Sequence, residues 1–317
     1  MAGNEFVTAF APASIGNVAV GFDMLGLAIS GAGDRVSARR VSSEGVTITE
    51  IRGLDGEVHT DLSNDARENT ASVAAVALWD AVGAPGGLEL KLQKGIPLQS
   101  GMGSSSASAV AGAVAANALL DSPLPIEKLL PYALEGEKVA SGGLHADNVA
   151  PSLIGGLVLC PRALLPRMIS LPTHDGVCSV ILHPELLVNT AEARKLLADT
   201  YSAEQWQLQQ GYLAGFMAGM ATSDIELIRA SLHDVIIEPQ RSGAVPCFDA
   251  VKAAALGAGA LGSSLGGSGP SLFALCENDI AANVAEAMEK ACRAEGFDCQ
   301  SWVSPLSSPG AYLEDGH

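Results

Sequence analysis

The stretch Gly95-Ile96-Pro97-Leu98-Gln99-Ser100-Gly101-Met102-Gly103-Ser104-Ser105-Ser106-Ala107-Ser108-Ala109 joins a strand pattern to a helix pattern through a run of mostly small residues. Before it, Leu88-Glu89-Leu90-Lys91-Leu92 alternates apolar and polar side chains with the period of a half-buried strand. After it, the small apolar run from Ala109 to Leu120 predicts a helix over 105–120. Gly101 and Gly103 can take positive φ and bring the backbone close to a ligand. The three serines fall where the first N–H groups of a helix have no intrahelical partner. Such an end, with its favourable dipole, is an anion site, and phosphate is its usual guest. A flexible Gly/Ser linker has similar composition, but a linker is not clamped between two core elements. No Gly-Lys-Ser/Thr follows the glycines, which excludes a Walker A loop. Gly101-Met102-Gly103 lacks the third glycine of a dinucleotide fingerprint.

The remaining bulk properties narrow the field. A chain of 317 residues is long for one core, and two domains are expected. Hydrophobic residues make up 48% and charged residues 17%, a composition that folds. Lys plus Arg is 18 against 35 Asp plus Glu, a formal net charge of −17. Such a surface repels nucleic acid and anionic lipid, so neither is an expected partner. A bound anion then has to be held by backbone dipoles, a few arginines or a metal. The six cysteines show no Cys-x-x-Cys spacing and read as free thiols of a reducing compartment. Met1 to Glu5 carries no basic leader signal and no apolar run reaches membrane-span length, so a cytoplasmic protein is expected.

Along the chain, strands are expected at 6–11, 36–40 and 46–51, around a turn-rich segment at 12–26. Helices are expected at 70–82, with Asn69 as N-cap, and at 125–140. A polar loop at 141–148 and a strand near 156–160 follow. The proline-rich segment 161–172 marks a boundary, giving domains 1–165 and 166–317. The second half reads as a strand at 178–183, helices near 190–197, 203–220, 224–232 and 248–256, and a Gly/Ser loop at 262–270. A strand at 271–276, a helix at 280–295 and a strand at 299–303 complete it. That order suggests an α+β sandwich of the ferredoxin-like sort.

Several polar residues do not fit a plain core. Asn17 and Asp23 punctuate an apolar, glycine-rich segment; turn chemistry accounts for either one alone, while burial beside Gly21-Phe22 would strand the Asp23 charge. Glu137 sits late in a helix, where the dipole disfavours a carboxylate, and a hard cation such as Mg²⁺ would give it a purpose. Glu135 is explained by a solvated face. His145-Ala146-Asp147-Asn148 is dense in donors and acceptors, as a ligand loop or an Asx-type turn would be. Arg194 and Arg241 stand at the edges of apolar segments and invite carboxylates, substrate or structural. Gly266-Gly267-Ser268-Gly269-Pro270 is a second close-approach loop or a plain hairpin.

These segments, in this order, resemble the GHMP kinase superfamily and, within it, the homoserine kinase family. Pro97 through Ala107 looks like the superfamily phosphate loop, P-x-x-x-G-L-G-S-S-A-A, and Gly266 through Pro270 looks like its late glycine motif. Asn17 with Gly21-Phe22-Asp23, Ser141-Gly142 with His145 to Pro151, and the pairing of Arg194 with Arg241 narrow the resemblance. Met102 stands for the usual Leu, Ser106 for a common Ala, and Ala19 for a frequent Gly.

The resemblance implies a two-domain α+β architecture, with an N-terminal ribosomal-S5-like α/β domain and a C-terminal ferredoxin-like α+β domain. It implies ATP-dependent phosphorylation of the side-chain hydroxyl of L-homoserine, an activity of threonine biosynthesis, with ATP and L-homoserine as partners, and it admits a homodimer. ATP would be held by Asn69 and by Pro97, Leu98, Gln99, Ser100, Gly101, Met102, Gly103, Ser104, Ser105, Ser106 and Ala107. Mg²⁺ would sit on Glu137 and Ser106. Asn17 and Asp23 would hold the attacking hydroxyl as the catalytic pair. His145, Asp147, Asn148, Arg194, Arg241 and Gly267 would complete the substrate pocket. A superfamily kinase for mevalonate or a sugar, or a sensor without turnover on the same fold, are the alternatives.

Overall fold

The computed structural model describes residues 5–60, 62–143, 145–188 and 190–314. Of the segments singled out above, Met1 to Asn4 and Leu144 lie outside the described residues. Two sheets organise the chain. The first contains β1 (Val7–Gly16), β2 (Leu25–Val41), β3 (Gly45–Arg52), β4 (Gly87–Gln93), β5 (Leu157–Leu159), β6 (Ile169–Leu171) and β11 (Tyr312–Glu314). Its main path is β11-β1-β2-β4-β3, with β5 joining β2 and β6 joining β5. β3 and β4 run parallel and the other pairs are antiparallel. The second sheet is antiparallel, in the order β10 (Cys299–Pro305), β7 (Val177–Pro184), β9 (Leu272–Glu277), β8 (Gly262–Leu265).

Against the first sheet lie α1 (Thr70–Ala81), α2 (Ser104–Ala118) and α4 (Ala146–Ile154), and α3 (Leu130–Ser141) packs on those helices. The second half adds α5 (Thr190–Lys195), α6 (Ala203–Thr222), α7 (Ile225–Ser231), α8 (Glu238–Arg241), α9 (Phe248–Gly257) and α10 (Ala281–Ala294). Helix α2 is buried along nearly its whole length, which its small residues make possible. A Cβ at Gly112 would stand 2.2 Å from the Ala71 carbonyl oxygen, and one at Gly136 2.4 Å from that of Thr70. Only glycine permits α1, α2 and α3 to approach so closely.

Both faces of the second sheet are covered. Val177 and Ile181 of β7 enter the large cluster built on the first sheet, whereas Cys178, Val180 and Leu182 pack with Phe248, Val251, Val284 and Met288 of α9 and α10. The period of two along β7 splits its side chains between two cores. The free thiols expected from sequence are present, with five buried and Cys299 half-buried.

Five details differ from the sequence reading. The strand expected to end at Ala11 continues to Gly16, and the one expected to begin at Val36 begins at Leu25. Their pairing survives a bulge between Pro12 and Ala13, so the glycines of that region lie largely in the sheet. The helix expected over 125–140 begins as a 3-10 turn, Ile126–Leu129. Gly262–Leu265, assigned to a loop, is a buried strand. Asp147 and Asn148 lie in the first turn of α4, not in a loop. Strands after residue 165 also join the first sheet: β6 pairs with β5, and β11 returns to β1. Among the described residues, no helix is long and apolar enough to cross a membrane.

Candidate active site

The loop after β4 descends into α2 as expected. Gln99, Gly101 and Gly103 all have positive φ, at 53°, 77° and 67°. Gly103 caps α2 in the left-handed region with no side-chain cap bond. A Cβ at Gly101 would meet the carbonyl oxygens of Gly266 and Gly269 at 2.6 Å each, so the two glycine loops are pressed together. The Ser271 amide donates to Ser100 O at 3.0 Å and the Gly267 amide to Gly16 O at 3.2 Å, locking both loops to the end of β1.

Beneath the loop, Lys94 and Asp34 form a buried ion pair. Lys94 Nζ also donates to Ser104 O at 3.1 Å and Ser108 Oγ at 2.8 Å, and the Gly95 amide donates to Asp34 Oδ1 at 2.9 Å. This network fixes the first turn of α2 from below. Sequence reasoning missed it; a lysine and an aspartate inside strand-like apolar runs were the available signal.

Above the loop opens a cavity of about 420 Å³. Leu98 to Gly101, Gly103 to Ser106, Asn69, Glu137, His145, Asn148, Gly267 and Ser268 line it, together with Leu62, Ser63 and Glu68. Asn69 is the N-cap of α1: its side chain accepts from the Ala71 amide at 3.1 Å and donates to Ser63 O at 3.1 Å. Pro97, Met102 and Ala107 are not in the lining. Met102 and Ala107 are fully buried, and their amides are used internally, by Ser100 Oγ and Gly103 O.

Across the cavity, Ser106 Oγ donates to Glu137 Oε2 at 2.8 Å, both residues being buried. On the far side of Glu137, His145 Nδ1 stands 3.8 Å from Oε1. His145 Nε2 is 3.2 Å from Arg194 Nη2. A guanidinium can only donate, so Nε2 accepts and the proton of the neutral ring is on Nδ1, facing Glu137. Interaction with Glu137, opposed by burial, holds the His145 pKa above its ordinary value.

The second cluster adjoins this one. Arg194 Nη2 donates to both Asp23 oxygens, at 2.8 and 2.9 Å. Asp23 rests in the left-handed region at φ 55°, as do Asn17, Val18 and Ala19 at 70°, 45° and 58°. Asn17 explains how that strained turn persists: its Oδ1 accepts from the Asp23 amide at 3.1 Å, its Nδ2 donates to Gly267 O at 2.9 Å, and its own amide donates to Asp147 Oδ2 at 3.1 Å. With both ends of its side chain engaged, Asn17 buttresses Asp23 instead of presenting a free amide. Arg241 is buried, and donates to Ala193 O and Gly267 O at 3.3 Å each. Burial, ahead of repulsion from Arg194, lowers its pKa.

Asp147 is buried and its Oδ1 has no hydrogen-bond partner. Burial first, and the Asp23 charge second, push its carboxyl up to about 7. Ser14 Oγ donates to Asn148 Oδ1 at 3.1 Å. Gln209, a further residue that sequence reasoning missed, donates from Nε2 to Val20 O at 3.1 Å and accepts from the Val235 amide at 3.0 Å. It ties the Asn17–Asp23 turn to the segment leading into Arg241. Its position on a largely exposed helix gave no sequence signal.

A glycine-serine loop opening a helix over a cavity, beside a cluster of acidic and guanidinium groups and on two sheets so connected, is the arrangement of the small-molecule kinases of the GHMP class. The models for the GHMP kinases N terminal domain and the GHMP kinases C terminal match residues 69–156 and 216–294. A homoserine kinase of Xylella fastidiosa (strain M12) is 46% identical over 306 residues, covering 96% of this chain and 93% of that protein. One of Chlorobium phaeobacteroides (strain BS1) is 41% identical over 318 residues, covering 96% and 98%. The crystal structure of homoserine kinase from Cytophaga hutchinsonii matches with a TM-score of 0.93 at 41% identity, over 99% of both chains. The chain belongs to the homoserine kinase family.

Proposed function

We propose that this protein transfers the γ-phosphoryl group of ATP to the side-chain hydroxyl of L-homoserine, giving O-phospho-L-homoserine for threonine biosynthesis. The observation that carries the reading is the juxtaposition of a cavity and a polar side-chain cluster. One is lined by the uncapped end of α2; the other gathers Asp23, Arg194, Arg241 and Asp147; His145 touches both.

Backbone amides of Leu98 to Ser106 that line the cavity cradle the triphosphate, and Asn69 bounds the nucleotide end. Pro97, Met102 and Ala107 shape the loop from behind. Glu137 and Ser106 offer two hard oxygens to the cavity. A carboxylate and a hydroxyl beside a triphosphate are oxygen donors of the kind that would hold Mg²⁺. They would hold it so that it neutralises charge on the β- and γ-phosphates.

Phosphoryl transfer demands alignment and charge stabilisation above all. Asp23 receives the substrate hydroxyl and accepts its proton, while Asn17 fixes the Asp23 main chain. Arg194 and Arg241 bind the substrate carboxylate; on substrate entry, Arg194 shares its guanidinium between Asp23 and that carboxylate. The unpartnered oxygen of Asp147 suits the substrate ammonium, which supplies the missing countercharge. Asn148, His145 and the Gly267 carbonyl close the pocket. The proposed domain boundary stays at the proline-rich segment 161–172, with domains 1–165 and 166–317, and the cytoplasm, where ATP is supplied, is the proposed compartment.

A coupled ADP-release assay with homoserine, serine, threonine and mevalonate side by side tests the assignment. Turnover restricted to homoserine is expected. Preference for mevalonate, or no ADP release with any alcohol, would overturn it.

A further inference from the structure

Phe22 is an aromatic side chain without a core. Among the described residues it joins neither buried cluster and is only half-buried. Its ring instead carries two cations: the Arg241 guanidinium carbon lies 5.3 Å from the ring centroid and that of Arg194 5.5 Å. The arrangement is built from three places in the chain, since Phe22 sits in the left-handed turn, Arg194 on α5 and Arg241 on α8.

Two guanidiniums this close to one ring repel one another, and the Arg194 charge contributes to lowering the Arg241 pKa. Partial compensation comes from Asp23, which Arg194 binds directly. That partner is shared with the substrate hydroxyl in the reading above. The negative face of the ring supplies a second, neutral compensation that chemistry does not consume. It also fixes position, because each cation is drawn toward the same ring.

We infer that Phe22 is a positioning residue whose ring face holds Arg194 and Arg241 as one pre-aligned carboxylate-binding pair, and that it thereby selects α-amino acids over amino alcohols without a carboxylate. The inference rests on the proposed acceptor pocket and specifies which part of the substrate this residue reads. Phe22 is not among the residues that line the cavity, and its cation contacts are with the two arginines assigned to the substrate carboxylate.

The test uses the full chain with Phe22→Leu, which keeps bulk and removes the π face, and Phe22→Tyr, which restores it. KM values for L-homoserine and ATP are measured, with the inhibition constant of L-2-aminobutyrate, which has the carboxylate and ammonium but no hydroxyl. Phe22→Leu is expected to raise the homoserine KM and the aminobutyrate constant together by about tenfold, the scale of a partly desolvated cation–π contact. The ATP KM stays within about twofold, and Phe22→Tyr returns both affected constants to wild-type values. Unchanged constants in Phe22→Leu, an equal loss for ATP, or a Phe22→Tyr variant as weak as Phe22→Leu would overturn the inference while leaving the kinase reading intact. A wild-type enzyme that did not phosphorylate homoserine would instead overturn both.

Discussion

Asp23 occupies a backbone region that costs a non-glycine residue about 1–3 kcal/mol, and Asn17 and Arg194 keep it there. Such strain is sustained where a side chain must point one way. The Asp23→Asn substitution keeps shape and removes the proton acceptor, so kcat should fall by about 10²-fold at little change in homoserine KM. A change confined to KM would remove Asp23 from the transition state. Glu137→Gln weakens one of the two hard oxygens facing the cavity. The Mg²⁺ concentration for half-maximal rate should rise several-fold, and an unchanged metal titration would take Glu137 out of the metal site. Asp147 bears on stability. With its carboxyl raised to about 7, the folded state prefers the protonated form. That preference is fully realised below the unfolded value of about 3.9 and is lost as pH rises through about 7. Without substrate, Tm should therefore decline between pH 4 and 8, and Asp147→Asn, neutral throughout, should flatten that decline in a scanning-fluorimetry series.

At the scale of elements, the phosphate loop depends on its packing against the 266–270 loop as much as on its own sequence. Gly101 combines φ 77° with carbonyl oxygens 2.6 Å from where a Cβ would stand. Gly101→Ala should cost about 1–3 kcal/mol of stability. By separating the two loops it should also raise the ATP KM more than the homoserine KM, as steady-state kinetics on the folded variant would record. The strand, loop and helix here were legible in sequence because each has a strong local signature: alternation in β4, glycines between, an alanine-rich run after. The reach of β1 and β2 was not legible, because glycines that read as turns are placed in a sheet by cross-strand pairing. Gly26, for example, pairs with Gly16 across the two strands and leaves no room for a Cβ, which would lie 1.7 Å from the Asp147 carbonyl oxygen. Asp147 and Asn148 read as loop residues because Pro151 and the short length of α4 weaken its helical pattern.

The whole molecule is closed by its last strand. β11 pairs with β1, the Tyr312 and Phe10 rings meet at a tilt with centroids 5.2 Å apart, and Glu314 pairs with Arg35 at 2.8 Å. Ser304 and Ser308 bond to Ser30 at 2.9 and 2.6 Å, tying β10 and the turn after it to β2. With one cluster shared by both sheets, the halves should unfold together. Tyr312→Ala removes an aromatic pair worth about 0.5–1.5 kcal/mol beyond its area. It should lower Tm by about 2–4 °C in a single calorimetric transition. Two separated transitions would show that the halves melt independently.

The sequence alone determined the glycine-serine loop between β4 and α2, the Asn69 cap, the α+β class and the residue types proposed for the acceptor site. The first three are written in contiguous residues whose backbone preferences are local; the acceptor residues stand out singly, as polar groups in apolar or glycine-rich surroundings. Tertiary structure decided the partnerships: Arg194 on Asp23, both arginines on Phe22, Asn17 as buttress, and Lys94 with Asp34 under α2. Those contacts join residues separated by tens to hundreds of positions, and no local propensity encodes them. They exist because burying two shared cores brings the strands and loops of both halves together, and polar groups caught there must find partners across the chain.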